Sequence, residues 1–165
     1  MTATETKQET TEDPYRTEEG RAAYKAAAKR GMVPALWADR LGDAPAIVSD
    51  HGDRTFASLN ARTNQLVRAL RMRGLRPGDA VALMLANRPE WAEVVAATNR
   101  AGWRLTPINW HLTGEEAGYI LGDCEATAFV ADHRFAGAAI EAAGLVPAAA
   151  VRMAIGGDIS GFEPY

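Results

Sequence analysis

Lysine is nearly missing from this sequence. Three are present among 165 residues, at positions 7, 25 and 29, so from Arg30 onward every fixed positive charge is an arginine. That excludes a Walker-type phosphate loop, which needs Gly-Lys followed by Ser or Thr, and it excludes Schiff-base chemistry in the globular part. Cysteine is as scarce. Cys124 stands alone, so no internal disulfide forms and a reducing cytoplasm fits, and the histidines at 51, 111 and 133 lie too far apart for a zinc motif. No apolar run approaches the roughly 18 residues of a membrane span, and the N-terminus lacks the basic-then-apolar order of a secretory signal. The G-x-G-x-x-G fingerprint of dinucleotide-binding oxidoreductases is absent. Excess positive charge is lacking too. The net charge is -3. Residues 1–20 hold six acidic side chains against Lys7 and Arg16, a net of -4, which leaves +1 for the rest. A nearly neutral body has no basic stripe, so neither nucleic acid nor an anionic membrane surface is an expected partner.

What is present is regular punctuation. The first 20 residues are rich in Thr, Glu and Gln and too poor in apolar side chains to offset their ordering entropy, which predicts a disordered acidic tail over 1–20 and a single domain over 21–165. A short helix around Arg21–Arg30 leads through Gly31 and Pro34 to a second one bearing Leu36, Trp37 and Leu41. Two short strands follow around His51-Gly52-Asp53. Thr55 then caps a helix over about 57–73 with Leu59, Thr63, Leu66, Val67 and Leu70 at helical spacing, ended by Gly74. Strands are expected at 80–85, 104–109, 126–131 and 149–155. Between them lie helices capped by Asn87 with Glu90, by Thr113 with Glu116, and a weaker one over 135–143, ended respectively by Gly102, Gly122 and Gly144.

The strand starts recur about every 23 residues, the length of one strand, one three-turn helix and two short connections. AVALML and ATAFVA are apolar without alternation, as parallel strands covered on both faces must be. These features predict an α/β fold, a doubly wound and mainly parallel sheet flanked by helices. Ligands of such sheets sit beyond the carboxyl ends of the strands, here the loops ANRPEW, NWHLTGEE, ADHRF and IGGDISG. Gly156-Gly157-Asp158 reads as turn chemistry, and Cys124, at a helix-to-strand connection on the opposite edge, as a structural thiol. His51 reads as a turn residue. His111 follows a strand, sits beside Trp110 and precedes a helix start where an anion could bind, although hydrogen bonding within its own loop is the preferred account. His133 and Arg134 put positive charge at a helix N-terminus, which is unfavourable unless an anion, such as a phosphate, neutralises it. Trp37, Trp91 and Trp103 read as packing aromatics.

Four stretches, in this order, carry a family resemblance. RTFASLNARTNQLVRALRMRGLRPGD has an early Thr-aromatic motif, a helix and Gly-Leu-x-Pro-Gly-Asp. AVALMLANRPEW is a strand with its capped helix. NRAGWRLTPINWHLTGEEAGYIL passes from Ala-Gly through Pro-x-Asn to Leu-Thr-x-x-Glu, and ATAFVAD is the next strand. Together, over roughly residues 33–155, they resemble the N-terminal part of the adenylate-forming enzymes, and most closely the AMP-forming fatty-acid CoA ligases. Ser58 departs from the Glu usual in the first motif, and His111 stands where many relatives carry Arg.

The resemblance implies a two-step ligase. A carboxylate attacks the α-phosphate of ATP, assisted by Mg²⁺, and the thiol of CoA then takes the acyl group from the acyl-adenylate. It further implies that the phosphate loop with its lysine, the ribose-binding aspartate and the late catalytic lysine lie beyond Tyr165. No catalytic or metal-binding residue is therefore expected in this chain, nor tight binding of ATP, CoA or Mg²⁺. Trp110, His111 and Arg134 are the expected binding residues, on the CoA or acyl side. The partners implied are the downstream ATP-binding and C-terminal parts of the same enzyme and a fatty acid or other carboxylate. The competing reading is a stand-alone, non-catalytic α/β binding or interaction module.

Overall fold

The computed structural model describes residues 17–165, so the tail expected over positions 1–16 lies outside the described residues. Helical structure begins inside the expected tail, before residue 20. Helix α1 (Glu18–Lys29) starts from Thr17, whose hydroxyl accepts the Gly20 N–H at 3.0 Å. Glu18 and Glu19 occupy its first turn, where carboxylates favour the positive end of the helix dipole. The acidity that suggested a tail is, at these two positions, a helix-start signal.

Gly31 takes a left-handed backbone (φ +65°) and joins α1 to α2 (Val33–Leu41). A Cβ at this position would run into the backbone of Asn99 and Arg100, so glycine is what lets the turn seat on a neighbouring helix. β1 (Pro45–Ile47) and β2 (Arg54–Thr55) form the expected antiparallel pair. α3 (Phe56–Met72) follows, with Thr55 as its cap accepting the Ser58 N–H at 3.1 Å and Thr63, Leu66, Val67 and Leu70 as its buried stripe.

The main sheet contains β3 (Ala80–Met84), β4 (Arg104–Pro107), β5 (Ala126–Asp132), β6 (Val151–Ile155) and β7 (Glu163–Pro164), in the spatial order β4-β3-β5-β6-β7. Every pair is parallel. α4 (Pro89–Ala101), α5 (Gly114–Asp123) and α6 (Ala136–Leu145) make the crossovers. Alternation along the strands then divides two cores. Val81, Leu83, Val130, Met153 and Ile155 point to the layer of α3 and α4, meeting Leu66, Leu70, Val94 and Ala97. Ala82, Met84, Phe129, Ala131 and Ala154 point to α5 and α6, meeting Leu121, Ala139 and Ala142. Burying a Leu or Phe in such a layer contributes about 1.5–3 kcal/mol. The small residues of α6 let it approach α5 so closely that Leu145 lies over Gly118.

Some boundaries differ from expectation. Asn87 is not a cap: Arg88 holds that place without a side-chain cap bond, and Pro89 follows as the first helical residue, where a missing N–H costs nothing. α5 runs through Gly122 to Asp123, and α6 through Gly144 to Leu145, because interhelical packing holds the last turn despite the glycine. The two-residue β7 leaves no periodic trace in the sequence. Gly102 (φ +72°) and the reciprocal Thr113–Glu116 capping box stand as expected. Hydrogen bonds from the Thr113 backbone and hydroxyl, opposed by slight desolvation, hold the Glu116 carboxyl below its ordinary value.

Candidate functional site

The chain leaves β3 by α4 on one face to reach β4, and returns by α5 over the other face to β5. The reversal places a topological switch point at the carboxyl end of β3, between the loops that follow β3 and β5. Arg88, Asp132, His133 and the Gly156-Gly157 loop converge there. Gly156 has a left-handed backbone (φ +82°), which strains any other residue, and a Cβ there would lie 2.8 Å from an Arg88 guanidinium nitrogen and 2.9 Å from His133 Nδ1, pushing both side chains aside.

Asp132 is the pivot. It is fully buried at the end of β5, and its carboxylate accepts bonds from Arg134 Nε (3.1 and 3.2 Å), Arg134 Nη2 (2.7 Å) and the Arg134 backbone N–H (3.0 Å). His133 Nδ1 lies 3.3 Å away. Burial by itself would raise this carboxyl, but the Arg134 hydrogen bonds and the charges of Arg134 and Arg88 outweigh it and hold the carboxyl below its usual range. The same bonds, against some desolvation, keep the Arg134 guanidinium even more firmly charged. The anion that the sequence asked for beside Arg134 is thus the chain's own Asp132.

Trp110 and His111 follow β4. The Trp110 ring is 39% exposed and stacks on Phe135, with centroids 5.0 Å apart and planes 14° from parallel, while the His111 ring lies 3.4 Å from it. The His111 backbone N–H donates to Asn109 Oδ1 at 3.1 Å, so its loop is satisfied from within. Arg134 sits 5.6 Å from the other partner, Phe135. The three residues singled out in the sequence are therefore brought together through Phe135, an aromatic whose only sequence signal was its place after Asp132-His133-Arg134. Cys124 is the C-cap residue at the opposite end of α5, its thiol donating to the Leu121 carbonyl at 3.6 Å.

A second polar centre lies beside the switch point. Glu93 on α4 is fully buried and accepts from Arg54 Nε (2.7 Å) and from the Tyr165 hydroxyl (2.9 Å), with Arg62 Nε at 3.8 Å. Arg54 also lies 3.6 Å from Glu90, which pairs with Arg88 at 3.2 Å. Burial first, and then the neighbouring Glu93 charge, push the Tyr165 phenol far above its ordinary value, so it remains a donor. Two of the hollows among the described residues meet at Arg88. One, about 290 Å³, is lined by Arg54, Arg62, Arg88, Glu90, Gly156 and Asp158 among others. The other, about 970 Å³, runs beside α4 beneath α1 and α2 and is mostly apolar. Among the described residues no group of three or more His, Cys, Asp or Glu side chains is placed to hold a metal ion, and no helix is long and apolar enough to cross a membrane.

Residues 35–158 match the AMP-binding enzyme family. The chain belongs to that family. Fatty acid–(acyl-carrier-protein) ligase ScoC of Streptomyces coeruleorubidus is 33% identical over 79 residues, 48% of this chain and 15% of that protein. The medium/long-chain-fatty-acid–CoA ligase FadD6 of Mycobacterium tuberculosis is 31% identical over 104 residues, 63% of this chain and 17% of that protein. This AMP-binding chain thus spans less than a fifth of the length of these curated relatives. The structure of the anthranilate CoA ligase AuaEII, in complex with anthranoyl-AMP, superposes with a TM-score of 0.76 at 24% identity, covering 82% of this chain and 26% of that one. At that identity the likeness speaks for the fold, the parallel five-stranded sheet with helices on both faces.

Proposed function

We propose that this AMP-binding segment is the N-terminal portion of a fatty-acid CoA ligase, which activates a carboxylate with ATP as an acyl-adenylate and passes the acyl group to CoA. The observation that carries this reading is the family match over 35–158, joined by relatives named as fatty-acid ligases. Adenylation requires charge neutralisation on the phosphates and alignment of carboxylate with phosphorus. This chain offers neither a lysine beyond position 29 nor a free carboxylate cluster, since Asp132 and Glu90 are each held by arginine. Among the described residues no carboxylate cluster fits Mg²⁺. The role assigned to the segment is structural: it docks with the downstream ATP-binding half and supplies part of the wall along which substrate approaches.

In that wall Trp110 and His111 present the exposed aromatic face to CoA or the acyl chain, and Arg134, held by Asp132, supports Phe135 behind them. Isolated residues 1–165, given ATP and a fatty acid, should release no pyrophosphate above a no-enzyme control. Measurable turnover would refute the assignment. The isolated chain should also bind an apolar dye or self-associate, through the surface the remaining enzyme would cover.

A further inference from the structure

The helices on the two sides of the sheet carry opposite charge. α3 has Arg62, Arg68 and Arg71 and no Asp or Glu, whereas α5 and α6 together have Glu115, Glu116, Asp123 and Glu141 and no Lys or Arg. α3 packs on one face of the sheet and α5 and α6 on the other, so these charges point away from one another and cannot pair within one molecule. Some are already engaged: Arg62 lies beside buried Glu93, and Glu116 closes its capping box. Arg68, Arg71, Glu115 and Asp123 are not. All four are exposed, and among the described residues no hydrogen bond or ion pair reaches their guanidinium and carboxylate groups.

Each charged face also bares an apolar side chain at its centre. Met72, 86% exposed, follows Arg68 by one helical turn and adjoins Arg71. Tyr119, 75% exposed, stands one turn after Glu115 and one turn before Asp123. One face therefore reads arginine, methionine, arginine, and the other carboxylate, ring, carboxylate.

We propose that α3 of one copy of this chain docks on α5 of a second copy, with Arg68 and Arg71 meeting Glu115 and Asp123 while Met72 rests on the Tyr119 ring. A guanidinium pairs with a carboxylate through two N–H groups at once, and a thioether packs favourably on an aromatic ring. The two surfaces differ and lie on opposite sides of the sheet, so a docked pair still leaves one α3 and one α5 open. Assembly then runs head to tail and does not stop at a symmetric dimer. A single pair of helices buries less than a stable dimer needs, so association is weak, and its exposed charges make it sensitive to salt. Neither Trp110 nor Arg134 takes part, and the contact stands whether or not the ligase reading does.

The test is sedimentation velocity of the 165-residue chain from about 20 µM to about 1 mM, in about 20 mM salt and again in about 300 mM. The average mass should rise past that of a dimer at the top of the low-salt series and fall back on adding salt. Arg68→Gln with Arg71→Gln, and separately Glu115→Gln with Asp123→Gln, should each weaken association by about tenfold or more, ~1.4 kcal/mol. Glutamine suits an exposed helical position, so both double variants keep the fold. Mixed in equal amounts they should form a one-to-one complex and nothing larger, because each retains the face the other lacks. Met72→Ser should weaken association by about threefold. Arg40→Glu, on α2, lowers the net charge as much as the α3 pair does and should change nothing. A chain that stays monomeric throughout, association that survives either double variant, a mixture that stays monomeric or grows beyond one-to-one, or a loss on Arg40→Glu equal to that of the α3 pair would each overturn the proposal. So would a closed dimer that does not grow with concentration, since it would place the same face on both copies.

Discussion

Glu93→Ala is the sharpest single perturbation of this molecule. The side chain is fully buried, and three groups converge on it from β2, α3 and the last residue: Arg54 at 2.7 Å, Arg62 at 3.8 Å and the Tyr165 hydroxyl at 2.9 Å. Truncation leaves the Arg54 guanidinium, itself 9% exposed, beside Glu90 at 3.6 Å as its remaining carboxylate. Removing one partner of a buried ion pair costs about 3–5 kcal/mol, mostly as the penalty of the stranded charge. For a chain of this size each kcal/mol lowers the melting temperature by roughly 2–4 °C, so a fall of about 6–20 °C is expected in a thermal melt followed by circular dichroism. Replacing both partners, Arg54→Met with Glu93→Leu, should recover most of the loss, since the stranded charge goes too. A single-variant loss under about 1 kcal/mol, or a double variant as unstable as Glu93→Ala, would refute the view that a desolvated charge pair dominates this centre.

Gly31→Ala should cost more than the roughly 1–2 kcal/mol of a left-handed alanine, because its Cβ meets the Asn99 and Arg100 backbone and α1–α2 must lift from α4; urea midpoints and proteolysis after Arg30 would report it. Asp132 has a depressed carboxyl, so its contribution is fully present above the unfolded value, 3.8, and fades as pH falls through the lower folded value. Asp132→Asn should therefore lose stability at pH 7 and show a flatter stability profile below pH 3.8 than the parent; parallel profiles from denaturant titrations would contradict it.

Much of the fold is local physics written in the chain. Capping hydroxyls at Thr55 and Thr113, the left-handed Gly102, and strands apolar on both faces each depend on residues within a few positions, and each stands in the structure as the sequence implies. Inside the tail, Thr17-Glu18-Glu19 carried the same kind of signal but was outweighed by composition. Trp110, His111 and Arg134 were legible because they follow strands whose carboxyl ends collect ligands in this architecture. The stacking of Trp110 on Phe135 and the seating of Arg88 and His133 against Gly156 were not, because each joins segments that follow different strands. The capture of Arg134 by Asp132, two residues apart, is local and was missed because the sequence reading looked for an outside anion. The sequence by itself determined where helices start and strands run, since those depend on short-range hydrogen bonding and hydrophobic spacing. Tertiary structure alone decided the strand order β4-β3-β5-β6-β7, and with it the Arg54–Glu93–Tyr165 centre and the two hollows meeting at Arg88. Burial and charge pairing across 39 and 72 residues of chain leave no local period to read.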